Sequence, residues 1–358
     1  MADKKNNLRN EFNQQVKPVS LGADAWKRLR KNKMALIGLY VITFYLVISI
    51  LAPILPIYSP NEQNLTHMNL PPSFQSAGIL AVTKVENRIK ELEKALKTQD
   101  RQDLKTELAS QKEELEKVKS LEANDPASKR VYIFGTDYLG RDMLARIIYG
   151  GRISIGIGIV GTITAVFIGI IIGAIAGYVG GNIDNLLMRF VDIMYGLPYM
   201  LIVIIIMSLV PAGTNSIFVL FIAIALVSWL TIARVVRGQI ISLKNSEFVE
   251  AARSMGASPF RIIFRHLLPN TLGVIIIFST LQMPSFIMNE SFLSFLGLGV
   301  SAPAASWGTL VSDGVKGMEL YPWRLLYPAI AMTIFLFAMN FLGDGLRDAL
   351  DPQSKNRT

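Results

Sequence analysis

The chain has 358 residues, of which 51% are hydrophobic and 18% charged, against about 25% charged in an average soluble domain. Long stretches carry no charge while others are packed with Lys and Glu, and that segregation marks a membrane protein. There is no Cys and only two distant His, His67 and His266, which excludes disulfides and thiolate metal sites and argues against a His-based one; the net charge of +9 reads as orientation and anionic lipid, not nucleic acid.

Residues 1–33 form a basic tail carrying Lys4, Lys5, Arg9, Lys17, Lys27, Arg28, Arg30, Lys31 and Lys33. No cleavable signal peptide is expected, because the first apolar stretch starts only at Met34 and is long enough to remain as an anchor. A helix needs about 20 apolar residues to cross roughly 30 Å of hydrocarbon. The first span is placed at 34–56, with a Pro-rich exit at Pro53, Pro56 and Pro60.

The loop 57–152 contains a segment of different character. Within 84–122, apolar residues fall three and four apart at Val85, Ile89, Leu92 and Leu96, then at Leu104, Leu108, Leu115 and Val118. A polar break at Thr98–Asp103 predicts two helices folded into a hairpin. Lys and Glu nearly balance, so this is a solvated helix pair, either a docking element for an external partner or a tolerated insertion.

Five further spans are predicted in the core, 153–345: Ile153–Val179, Ile193–Val210, Ser216–Ile232, Thr271–Met288 and Leu325–Leu342, with a turn at Pro211–Asn215. In lipid each must satisfy its own backbone, so the fold class is an all-α integral membrane protein with six transmembrane helices. Gly169, Gly173 and Gly177 form overlapping Gly-x-x-x-Gly steps, which permit close helix packing within the subunit or a seam with another. The basic segment between spans four and five (Arg234, Arg237, Lys244, Arg253, Arg261, Arg265) lies on the same side as both termini, and the positive-inside rule makes that side cytoplasmic, including the tail 346–358.

The cytoplasmic segment 238–270 reads as helix, turn, helix. Ser246 is the expected N-cap, Gly256 a helix stop, and Ser258-Pro259 a restart. Phe260, Ile263, Phe264 and Leu267 make an apolar stripe, and Pro269 is expected to end the second helix. Such a unit either presents a knob to a cytoplasmic partner or lies as an interfacial helix. Polar residues beside spans are candidates for a translocation path: Asn289 and Glu290 at the outer end of span five, and Asn340 in span six. Asp184, Arg189 and Asp192 read as a local ion pair.

Glu250, Ala251, Ala252, Gly256, His266, Leu268 and Pro269 match the Glu-Ala-Ala coupling motif that this segment resembles, that of ABC importer permeases. Three further segments are similar to the C-type permease subunit of oligopeptide, dipeptide and nickel importers: Phe134–Asp142 with Arg146 and Gly151–Ser154, Glu290–Gly299 with Ser306–Gly308, and Gly343–Pro352. The hairpin is the departure from that pattern. The resemblance implies a type I importer permease in a bacterial inner membrane, coupled to ATPases through the seven motif residues. Its implied partners are a second, different permease subunit, two ATPase subunits and an extracytoplasmic binding protein delivering peptide. The chain lacks a Gly-x-x-x-x-Gly-Lys-Ser/Thr loop, so ATP and Mg are expected on the ATPases and no cofactor in this chain. A nickel or other small-ligand importer is the alternative; an ion-coupled secondary transporter would place carboxylates in mid-span.

Overall fold

The computed structural model describes residues 21–98, 101–209 and 216–350. The expected tail up to residue 20, the Pro211–Asn215 turn and residues 351–358 lie outside them. Among the described residues the chain is helical, with only isolated bridges (Ser76 with Val131, Thr136 with Asp142) in place of strands. Five helices are long and apolar enough to span a membrane, and a bent pair supplies a sixth crossing.

An amphipathic helix α1 (Leu21–Leu29) leads into the first span, α2 (Lys33–Leu51), which Asn32 caps by accepting from Ala35 N at 3.2 Å. Gly38 of α2 packs on the backbone of the last helix, α14 (Trp323–Leu350), near Ala338.

The hairpin is built from α3 (Ala77–Thr98) and α4 (Gln102–Asn124), longer at both ends than the heptad pattern of 84–122. Ala77, Ala81, Val85, Ile89 and Val118 form its seam, which continues into Leu70 and Tyr132. Exposed pairs cross it: Arg88 to Glu107 at 2.7 Å and Lys112 to Glu93 at 3.1 Å. His67 is buried beside Tyr132, its Nδ1 3.3 Å from the phenol oxygen, and burial holds its pKa below the usual value.

The segment Phe134–Asp142 roots this lobe on the bundle. Buried Thr136 donates to His67 O (2.5 Å) and accepts from Leu70 N (2.8 Å). Asp137 accepts from Arg141 Nε at 2.7 Å and from Arg146 Nη1, with all three side chains almost fully buried. Asp142 caps α5 (Met143–Val179) by accepting from Leu144 N and Ala145 N, both at 3.2 Å. Burial pushes its carboxyl up to about 6, against the pull of those two bonds.

Helix α5 starts ten residues before the expected Ile153 because Asp142 supplies its N-terminal acceptor. It is the spine of the bundle. A Cβ on Gly169 would strike Ile232, one on Gly173 the Ala233 carbonyl, and one on Gly177 Ile240 or the Arg237 carbonyl. All four partners lie on α9 (Leu230–Leu243). The glycine steps therefore serve packing within the subunit.

The third crossing differs most from expectation. The straight span Ile193–Val210 is replaced by α6 (Gly181–Gly196) and α7 (Tyr199–Ser208), bent by 83° at Leu197-Pro198. The residue before a proline is biased toward extended backbone, and Leu197 takes it (φ −92°, ψ 136°), so the chain turns there. Helices α8 (Ser216–Ser228) and α9 pass together as one crossing, Ile217–Leu243, eleven residues beyond the expected Ile232. Arg234 and Arg237 thus sit on a helix, not in a loop. The expected local ion pair also resolves differently: Asp184 binds Arg237 bidentately at 2.5 and 2.6 Å, and Asp192 binds Arg234 at 2.6 Å.

After α10 (Glu247–Ser254), helix α11 (Pro259–Ile262) runs through a π turn (Ile263–Leu267) into α12 (Leu268–Phe295). Pro269 was expected to end a helix here, yet the helix is continuous. Pro269 has no N–H for the Arg265 carbonyl, and the wider π turn, in which Leu268 N bonds Ile263 O, absorbs that loss. Helix α13 (Trp307–Val315) then begins with a capping box between Ser306 and Thr309. Trp307 Nε1 ties it to Ile147 O of α5 at 2.9 Å.

Candidate functional site

Chemistry gathers at two places: an exposed knob at the end of the bundle where α9 finishes, and a polar cavity inside it.

Ser246 takes the extended N-cap backbone of α10, but its hydroxyl donates back to Leu243 O at 2.6 Å instead of capping. At the other end Gly256 N donates to Arg253 O (2.9 Å) and Ala257 N to Ala252 O (3.0 Å), a Schellman stop. Gly256 has φ +81°, the left-handed region that glycine enters without a Cβ clash. Ser258 caps α11 through Arg261 N (3.4 Å), with Pro259 in the first turn.

This double-capped turn has one buried and one exposed face. Val249, Ile262 and Leu267 pack against Val236, Ile240, Ala174 and Ile275, from α9, α5 and α12, and Ala252 is buried on the same helix as Val249. Glu250, Ala251, Arg253, Met255 and Gly256 face out. The two motif alanines are thus divided: Ala251 is on the surface and Ala252 is a rivet. The predicted stripe is divided as well. Leu267 is buried with Ile262, while Phe260 and Phe264 stand exposed and stacked on each other at 4.3 Å. Of the other motif residues, Leu268 is buried, His266 half-buried, and Pro269 exposed on the first turn of α12.

The cavity has a volume of about 510 Å³ and opens where the chain bends between α6 and α7. Its polar lining is Tyr199, Ser228, Thr231, Gln282, Ser285 and Asn289, drawn from α7, α8, α9 and α12. Among the described residues no charged side chain lines it. Gln282 Nε2 donates to Ser228 O at 3.4 Å, while Gln282 Oε1 is buried without a hydrogen-bond partner among the described residues, and Tyr199 Oη lies beside the Ser228 and Asn289 side chains. Tyr195 hydrogen-bonds Thr231 (2.7 Å), and Arg234, paired with Asp192, lies 3.9 Å over the Tyr195 ring. Tyr195 and Thr231 also line the cavity.

Of the three path candidates, only Asn289 reaches this cavity. Glu290 is fully buried on the other side of α12, its Oε1 accepting from Ser306 Oγ (2.6 Å) and Ser294 Oγ (2.7 Å). It locks the loop before α13 to α12. Asn340 is exposed on α14, away from the cavity. Tyr199, Ser228 and Gln282 were missed because they are neutral and scattered along the chain. The usable signal was the breaker Gly196-Leu-Pro198 inside an apolar run.

Comparison with known proteins gives a consistent result. Residues 169–356 match the family described as binding-protein-dependent transport system inner membrane component, and residues 20–72 match the N-terminal TM domain of oligopeptide transport permease C. The dipeptide transport system permease protein DppC of Bacillus subtilis is 39% identical over 336 residues, 94% of this chain and 87% of that protein. The oligopeptide transport system permease protein OppC of Haemophilus influenzae is 51% identical over 230 residues, 64% of this chain and 73% of that protein. A solved structure of the MetNI methionine ABC transporter, in inward-facing conformation, matches at a TM-score of 0.50 and 16% identity over 58% of this chain and 98% of its own, a likeness of fold. The chain therefore belongs to the binding-protein-dependent transport system inner membrane components, and is a multi-pass permease subunit of the ABC-importer kind.

Proposed function

We propose that this permease carries peptides inward across a bacterial inner membrane, paired with a second permease and driven by two ATPase subunits docked on the α10–α11 knob. The observation that carries the reading is the construction of that knob. Its inward face is rooted in three transmembrane helices, so a load on the exposed Glu250, Ala251, Met255 and Phe260 reaches the bundle directly. Glu250 meets a donor on the ATPase, Ala251 allows close approach, and Gly256 sets the turn that aims the knob. His266, Leu268 and Pro269 act at one remove, by joining the knob to α12. The peptide substrate follows from the relatives, which are named for dipeptides and oligopeptides; none of the named relatives favours nickel.

In this reading both termini and the knob are cytoplasmic, ATP and Mg are held by the ATPases, and a binding protein delivers peptide at the hairpin side. The path runs through the cavity at Asn289. The test is Glu250→Lys in the assembled transporter. Charge reversal at a docking face costs several kcal/mol, so peptide uptake into proteoliposomes should fall about tenfold or more with insertion unchanged. Uptake at the wild-type rate would remove the coupling role.

A further inference from the structure

The cavity at the α6–α7 bend deepens the reading of this chain as a peptide permease, and rests on it. Buried polar atoms are nearly always hydrogen-bonded. Here Gln282 Oε1 has no partner among the described residues, and Tyr199 Oη faces the same cavity beside the Ser228 and Asn289 side chains. Beside them, α7 begins at Tyr199 with no side-chain cap; Leu201 N and Ile202 N donate to Pro198 O, which leaves the N–H groups of Tyr199 and Met200 without an intrahelical acceptor. Ser228, Ser285 and Asn289 add further neutral groups that donate and accept. Neutral donors and acceptors therefore share the lining with the apolar surface of Phe286, Val227 and Leu230.

Among the described residues the lining carries no charged side chain. The nearest paired ions, Arg234 and Asp192, are already committed to each other. A site meant for a charged side chain or a metal would present a counter-charge, because an unpaired ion in such surroundings is costly. What complements a neutral lining of donors and acceptors is the peptide bond itself, which offers one N–H and one C=O per residue. The volume of about 510 Å³ lies within the range of small-ligand sites, about 300–1,000 Å³.

We propose that this cavity is a peptide-binding site that recognises main-chain amides, through Tyr199, Gln282, Asn289 and the first turn of α7, without regard to side-chain identity.

The chain has no Cys, so Ser285→Cys, at an exposed position in the cavity wall, places a single thiol there. In the purified transporter with all its subunits, the rate at which N-ethylmaleimide labels this chain is measured with and without trialanine. Trialanine and trilysine should slow labelling alike, and trialanine methylated at its amide nitrogens should not. Tyr199→Phe with Gln282→Leu, added to the same background, should raise the half-protecting trialanine concentration about tenfold, the loss of two hydrogen bonds. Absence of protection, equal protection by the methylated peptide, or no shift in the double variant each overturns the proposal. Trialanine import by the same preparation in proteoliposomes separates the two readings. Import without protection removes the site and keeps the permease, whereas protection without import keeps the site and removes the transport reading.

Discussion

Glycines in one helix show how residue-scale geometry decides the effect of a substitution. Gly156 of α5 has open space where a Cβ would go, whereas a Cβ on Gly173 would collide with the Ala233 carbonyl. Gly156→Ala should stabilise the detergent-solubilised protein by about 0.5–1 kcal/mol, from reduced chain entropy and better helix propensity. Gly173→Ala should cost about 1–3 kcal/mol, because α5 and α9 must separate. Thermal unfolding of the two variants, read against wild type, checks the opposite signs. Asp142 gives a pH-dependent prediction. Its carboxyl is raised by burial to about 6 in the folded chain, against about 3.9 unfolded. The folded state is then not penalised below pH about 4, and loses stability as pH rises from there to about 6. Asn caps a helix as well as Asp. Asp142→Asn should therefore raise the unfolding temperature at pH 7.5 and leave it unchanged at pH 4. An equal effect at both values would assign the gain to something other than the buried charge. At this scale the short helix and its stop were legible because Glu250, Ala251 and Gly256 lie within one short stretch of chain. The cavity was not, because Tyr199, Ser228 and Gln282 meet only after three crossings fold together, and no charge flags them.

Elements were legible where hydrophobicity and length agreed, as in α2, α5 and α14. The errors fall where a helix continues beyond its apolar stretch or breaks inside one. Helix α9 carries its arginines past the apolar boundary because Asp184 and Asp192 neutralise them. Those pairs fasten α6 to α9, and the bidentate one is only partly exposed, at 33% for Arg237 and 11% for Asp184. Arg237→Ala should cost about 1–3 kcal/mol through the stranded carboxylate, measured as loss of thermal stability, and Asp184→Asn in the same background should restore part of it. The hairpin contrasts with this. Arg88 and Glu107 are half-exposed, at 50% and 42%, so Arg88→Ala should change stability by less than about 1 kcal/mol. A larger loss would show that the hairpin is steadied by its charges and not by the Ala81–Val85–Ile89 seam.

For the whole molecule, the proposed orientation places the hairpin and the knob on opposite sides of the membrane. The chain supplies its own cysteine-free background. Ser110→Cys on α4 should react with a membrane-impermeant maleimide in cells whose inner membrane is intact. Ser254→Cys on α10 should react only after lysis. Both are exposed positions. The reverse pattern would invert the topology and with it the ATPase-docking reading. The number of crossings was readable from hydropathy. The bend that opens the cavity was not, since a hydropathy window averages across Leu197-Pro198.

The uninterrupted run from Pro259 to Phe295 has a mechanical meaning. At about 1.5 Å per residue its 37 residues form a rod of about 55 Å, whose near end is the knob and whose far end is bolted to the loop before α13 by Glu290. Pro284 lies inside that rod, between Gln282 and Ser285, and a helix-interior proline removes a backbone hydrogen bond. With one end loaded and the other fixed, the rod yields at its weakest cross-section. The flexure point coincides with the wall of the cavity, so under the proposed coupling a stroke delivered at the knob would change the cavity's width.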